Sequence, residues 1–227
     1  MKKIVSIIWL TLLSLLIVSS VLYANLAPPP MINTDELEVG SWAKILQKIG
    51  GDKVKIWLGV VGEEKIAGKR YVWVEIRFKQ RGQDFIVKSL MRASIKEKAS
   101  DMKRLIVKIG NQPAMEVPID MLKMMGQSTD FFGQSENEEN AIVEMLGREK
   151  VRVPAGTFLA NHIKIKEKDG SFTVDIWETN KVPIKVVKVK NSHGMETLLL
   201  EYGKGAKTKI TEKPVPFNMQ NFIMNMK

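Results

Sequence analysis

From Trp42 onward, most segments alternate apolar and polar residues with a period of two, the spacing of a half-buried β-strand rather than of a helix. Val54, Ile56, Leu58 and Val60 alternate with Lys53, Lys55, Trp57 and Gly59, and Val72, Val74, Ile76 and Phe78 alternate with Tyr71, Trp73, Glu75 and Arg77. The Gly-bounded stretch Gly62 to Gly68 joins these runs, which predicts an antiparallel hairpin, and Phe85 to Met91 follows the turn at Arg81-Gly82-Gln83-Asp84 as a third strand. Further strands are expected over 104–109, 141–153, 158–167, 172–178, 184–190, 196–202 and 207–211. Lys168-Asp169-Gly170-Ser171 and Asn191-Ser192-His193-Gly194 are hairpin-type loops, because Asp-Gly and a Gly after polar residues tolerate positive φ.

Helical signals are few. Pro118 suits the first turn of a helix through Asp120-Met121-Leu122-Lys123-Met124-Met125, stopped by Gly126, and 94–100 is a candidate for a second short helix. About ten mostly antiparallel strands with one or two short covering helices make a mainly β fold: a strongly curved antiparallel sheet, or unclosed β-barrel.

The first 24 residues break this pattern. Met1-Lys2-Lys3 precedes 21 uncharged residues, Ile4 to Ala24, which reads as a secretory signal, either removed or retained as an anchor long enough to span ~30 Å of hydrocarbon. Leu26-Ala27-Pro28-Pro29-Pro30 then reads as a stiff spacer. The expected organisation is a leader over 1–24, a Pro-rich linker over 25–38, one β-rich domain over 39–216, and a tail or edge strand over 217–227. With no cysteine in the chain, lipid attachment to a thiol, disulfides and thiolate metal sites are excluded, so stability must come from a packed core.

The balance of 35 Lys+Arg against 25 Asp+Glu gives +10. Such a surface suits an anionic membrane or acidic glycans, and export argues against nucleic acid. Lysines spread along strands also serve as a solvated sheet face that resists edge-to-edge association.

Catalytic chemistry is sparsely represented. Only His162 and His193 are present, neither with a Gly-x-Ser-x-Gly elbow, and Gly203 to Thr208 has the wrong spacing for a phosphate loop. The acidic loop around Glu136 lacks calcium-loop spacing. No cofactor and no metal site is expected. Apolar surface is better represented: Met121, Met124, Met125, Phe131 and Phe132 suit either core packing or a lid over an apolar cavity. Trp57 and Trp73 fall on the polar side of neighbouring strands, placed to stack as a cross-strand pair. These seven are the candidate ligand or lid residues.

Four segments together carry a family resemblance: Val39-Gly40-Ser41-Trp42, Gly62-Glu63-Glu64 to Gly68-Lys69-Arg70-Tyr71-Val72-Trp73-Val74-Glu75, Val151-Arg152-Val153-Pro154-Ala155-Gly156-Thr157-Phe158, and Trp177 through Val182-Pro183 to Lys188. They resemble bacterial periplasmic proteins of the LolA/LolB-like superfamily. The resemblance implies an unclosed barrel whose mouth is covered by helices and whose concave apolar face binds acyl chains or lipoproteins. It implies no particular contact residue, and this chain lacks the lipobox cysteine of the outer-membrane acceptors. The expected role is an exported, non-enzymatic envelope protein that binds a lipid or a lipidated partner. A periplasmic interaction or scaffold module with a filled core is the alternative, and an envelope hydrolase the third.

Overall fold

The computed structural model describes residues 37–80, 82–94, 99–124 and 141–218. The leader, the Pro-rich stretch up to 36 and the segment from 219 onward lie outside the described residues. The described chain forms β1 (Trp42–Ile49), β2 (Asp52–Ile66), β3 (Lys69–Gln80), β4 (Gln83–Ser94), β5 (Ala99–Ile109), β6 (Met115–Val117), α1 (Ile119–Met124), β7 (Ala141–Val153), β8 (Gly156–Glu167), β9 (Thr173–Glu178), β10 (Val186–Asn191), β11 (Glu196–Gly203) and β12 (Val215–Pro216). All strands join one sheet in the order β12-β6-β5-β4-β3-β2-β1-β11-β10-β9-β8-β7. Every pairing is antiparallel except β12 with β6. Two meanders, β1 to β6 and β7 to β11, therefore meet at the β1–β11 pair in the middle of the sheet.

Alternation along the strands gives the sheet an apolar inner face. On β1 the buried positions are Ala43, Ile45 and Gln47, and they lie opposite Leu58, Ile56 and Val54 of β2. The inner face continues through Val74, Val72 and Met91 with Leu37 packed on them, then through Leu105 and Val117 with Ile119 and Phe217. Leu37 belongs to the stretch read as spacer, yet it is buried.

The sheet is curved but open. In a flat sheet β7 would stand four strand spacings, about 19 Å, from β11. Instead the Ala155 N–H at the β7–β8 turn donates to Leu199 O of β11 at 3.1 Å. The returning tip places Val151, Val153, Phe158 and Ala160 in one cluster with Ala43, Ile45, Ile56, Ile76 and Leu199. On β8 the buried set changes phase, from Phe158 and Ala160 to Ile163, next to a bulge between Met145 and Gly147 on β7. Two-stranded ribbons twist more strongly than wide sheets, and a bulge adds to the twist.

The outer face is crossed by a strap, residues 204–214, that runs from β11 to the opposite edge. The 207–211 segment was expected to be a strand. It passes over the sheet and pairs with no strand among the described residues. Trp42 Nε1 donates to Lys204 O at 3.0 Å, and the Ala206 N–H donates to Gly40 O at 2.7 Å. Further along, Glu75 is fully buried; its carboxylate accepts the Arg77 Nε–H at 2.6 Å, the Thr208 hydroxyl and the Lys209 N–H at 3.1 Å. Arg77 also donates to Lys207 O. Ile210 then packs against Tyr71, Trp73, Ile86, Leu90, Ile106 and Ala114, and Lys108 pairs with Glu212. The strap ends as β12, in parallel with β6.

Other differences from the sequence reading have local causes. The loop expected over 62–68 is mostly strand, because a two-residue turn suffices: Ala67 and Gly68 take φ of 49° and 75°, the sign a primed hairpin turn requires. The helix expected over 94–100 is not formed at its ends, where β4 reaches Ser94 and β5 starts at Ala99; residues 95–98 lie outside the described set. The expected helix near 120 is α1.

Two outcomes follow. Replacing Glu75 by Gln leaves Arg77 beside an uncharged, buried amide, and stability to urea should fall by about 3 kcal/mol. Faster proteolysis within 204–214 should accompany it; an unchanged denaturation midpoint would show that the carboxylate does not fasten the strap. The second concerns acid. The Lys108 ammonium holds the Glu212 carboxyl down to about 2, against 4.5 for an ordinary glutamate. A depressed folded value means the contribution is complete above about pH 4.5 and is lost as pH falls towards 2. Susceptibility of the strap to an acid protease should therefore rise over that window, and Glu212→Gln should flatten the dependence.

Candidate functional site

The register identifies a continuous apolar row on the inner face of the C-terminal meander. Met145 of β7 lies opposite Ile163 of β8, which lies opposite Ile176 of β9 and then Val189 of β10. A second row runs from Val143 through Ile165 to Val174. Ile163, Ile176, Val174 and Val189 are buried together with Met195. At the outer edge the burial stops: Val143 is 61% and Met145 65% exposed. Ile142 on the opposite face is 46% exposed, and Leu146 at the bulge 50%. Four large apolar side chains within five residues of an edge strand form the principal exposed apolar patch among the described residues, and patches of this kind mark interaction surfaces.

The middle of the same face is occupied. Its cluster is filled by the β7–β8 tip, and the residues of β3 to β5 are covered around Leu37, Ile119 and Phe217. A polar spot interrupts it: Gln47 and Thr197 are cross-strand partners, both buried, and Gln47 Oε1 and Thr197 Oγ1 have no hydrogen-bond partner among the described residues.

Of the seven candidates from the sequence, Met125, Phe131 and Phe132 lie outside the described residues. Met121 and Met124 sit on α1, and Met121 is half-buried. Trp57 and Trp73 lie on the outer face beneath or beside the strap and do not stack on one another. The register explains this, since Trp57 lies opposite Arg77 while Trp73 lies opposite Gly62. The Arg77 guanidinium sits 3.7 Å from the Trp57 ring centroid. Trp73 donates from Nε1 to Glu64 at 2.8 Å and carries Lys88 and Arg104 over its ring. Burial pushes the Lys88 ammonium below its ordinary value. Both indoles thus serve as platforms for cations that belong to the fold.

His162 is also part of a structural cluster. Its ring stacks on Trp177 with centroids 4.4 Å apart, its Nε2 lies 2.7 Å from Asp175 and its Nδ1 3.2 Å from Glu149. Glu149 also accepts the Trp177 indole N–H. With a carboxylate on each ring nitrogen, neither nitrogen is directed at a nucleophile, which is the arrangement general-base catalysis needs. Among the described residues, no group of three or more His, Asp or Glu is disposed to hold a metal ion.

The basic charge is organised as rows. Lys53, Lys48, Glu196, Lys190, Asp175, Lys164 and Glu144 stand opposite one another in successive strands from β2 to β7. Ion pairs bind Lys48 to Glu196 at 2.8 Å and Lys164 to Asp175 at 3.4 Å. Much of the lysine excess on this face is compensated locally, as expected of a solvated sheet face.

The sequence matches no protein-family model and no curated protein. Among solved structures the chain is similar to a protein of YmcC-like fold from Bacteroides fragilis, 13% identical with a TM-score of 0.40, over 74% of this chain and 97% of that one. It is also similar to the MucA/MucB complex of Pseudomonas aeruginosa, at 10% identity and a TM-score of 0.42, over 78% of this chain; it spans 55% of that chain. A DUF1329 family protein from Desulfovibrio piger is 11% identical, with a TM-score of 0.27. Likenesses of this depth assign the chain no family and no role.

A glycine provides a direct check on the outer-face arrangement. A Cβ at Gly59 would meet the Trp57 ring at 2.3 Å, so Gly59→Ala must displace the indole from Arg77. The expected cost is about 1–3 kcal/mol, with altered Trp fluorescence. An unperturbed emission spectrum would mean that the indole does not rest over Gly59.

Proposed function

We propose that this chain is an exported, non-enzymatic envelope protein that holds a hydrophobic partner, a lipid or a lipidated protein, against the apolar end of its inner face. The observation that carries this reading is the row Val189, Ile176, Ile163, Met145, which runs out of the buried core onto a solvent-exposed edge. An apolar surface continuous with the core is already shaped and rigid, so a partner that extends the row loses little to reorganisation. Export rests on the cationic start and the apolar run of residues 4–24.

A second reading, an interaction module with a filled core, has its own support. The centre of the inner face is packed with the chain's own Val151, Val153 and Phe158. A ligand therefore has the edge available to it rather than a deep central cavity, which favours a partner that lies along β7.

The test is native mass spectrometry with lipid extraction on the full chain, produced with its own leader and recovered from the cell envelope. The expected result is a bound lipid or lipidated species that disappears in a Val143→Ser, Met145→Ser double variant. A chain that emerges lipid-free and binds no added phospholipid would overturn the lipid half of the proposal.

A further inference from the structure

The two ends of the sheet are treated very differently. At one end β12 has two residues, one of them Pro216, which suits an edge that resists further pairing. The other end is β7, thirteen residues long, and its first half carries the exposed Ile142, Val143, Met145 and Leu146. Val143 and Met145 stand on the inner face; Ile142 stands on the outer face beside Glu144. A bilayer or a flat protein surface covers one face of an edge and leaves the other in water. An extended strand laid alongside covers both, because its side chains alternate, and it also satisfies the edge N–H and C=O groups.

We propose that β7 accepts an extended polypeptide segment as an added strand along Ile142–Leu146, with apolar residues flanking a Lys or Arg that faces Glu144. This rests on the reading of the β7 edge as the surface for a hydrophobic partner, and it makes that partner a polypeptide. Charge sets the central residue. Glu144 is the sole charged residue between Ile142 and Leu146, and its carboxylate already draws Lys166 to 2.9 Å. Charge also argues against a second copy of the chain. The antiparallel self-pairing that matches apolar to apolar, Ile142 with Leu146 and Val143 with Met145, places Glu144 directly against its own copy, and like charges directly opposite are destabilising. The bulge at Met145/Gly147 limits the length, since it bends the strand, and beyond it Arg148, Glu149, Lys150 and Arg152 are charged while Val151 and Val153 are buried in the core.

The experiment measures fluorescence anisotropy of labelled nine-residue peptides with the full-length chain. One peptide has the core Ile-Val-Lys-Val-Ile, a second has Glu in place of Lys, and a third is the Lys peptide N-methylated at alternate backbone positions. The Lys peptide should bind, the Glu peptide about tenfold more weakly, and the methylated peptide not measurably. Glu144→Lys should reverse the charge preference; Glu144→Gln, a milder change, should erase it. Equal binding of the methylated peptide would overturn strand addition. Absence of peptide binding by a chain that still retains lipid in the mass-spectrometric test would overturn it while leaving the hydrophobic-partner reading in place. A dimer in analytical ultracentrifugation that Val143→Lys dissociates would assign the edge to a second copy and so also overturn it.

Discussion

Glu75 is completely enclosed, and a carboxylate in that position is tolerable only if every neighbour is arranged to meet it. Its oxygens receive Arg77 from the next outward position on the same strand, and Thr208 and Lys209 from a segment more than 130 residues away. Because Arg77 also reaches Lys207 and rests on Trp57, one buried charge ties the centre of the sheet to the strap that crosses it. The strap lays Ile210 over Tyr71, Trp73 and Leu90. Without it, Tyr71, Trp73, Ile86, Leu90 and Ile106 would lose the apolar cover that Ile210 gives them on the outer face.

The two arms are therefore stabilised by different means. The first meander is a layer covered on both faces, with the strap outside and Leu37, Ile119 and Phe217 inside. The second is covered mainly by its own twist. Its β7–β8 ribbon returns to β11, and the phase change between Ala160 and Ile163 lets one strand contribute to two clusters. A ribbon that turns its upper half inward must leave something of its lower half outside. Val143 and Met145 are those residues.

The period-two patterning made the strand-rich, curved fold legible, and the start of α1 was legible from Pro118, since a helix-start signal acts over a few residues. What could not be read was anything that depends on pairing between distant segments. Lys207 to Thr211 carries the β-branched Thr208, Ile210 and Thr211 that suit a strand, and only the partners show it to be a strap: its Thr208 and Lys209 answer to Glu75 rather than to a neighbouring backbone. Trp57 and Trp73 share a hairpin and a face, but a register in which Trp57 meets Arg77 separates them. Glu75 itself looked like any outward-facing charge in an alternating strand. The lysine rows needed the strand order β2-β1-β11-β10-β9-β8-β7, which joins the two ends of the sequence and has no local signature. The β7 patch was part of a correctly placed strand, but its exposure follows from β7 being the last strand of the sheet, a property of topology alone.

Position at an edge also limits what the patch can do. An apolar row in the middle of a sheet can be covered only by a second layer, and here the chain supplies that layer itself. At the edge, backbone groups and side chains are available together, so specificity can come from register as well as from shape. A one-residue slip along β7 would exchange the inner and outer faces of any added strand and move its central residue away from Glu144. The single acidic side chain among Ile142, Val143, Met145 and Leu146 thus does more than add charge. It distinguishes one register from its neighbours on a strip that hydrophobicity alone would leave ambiguous.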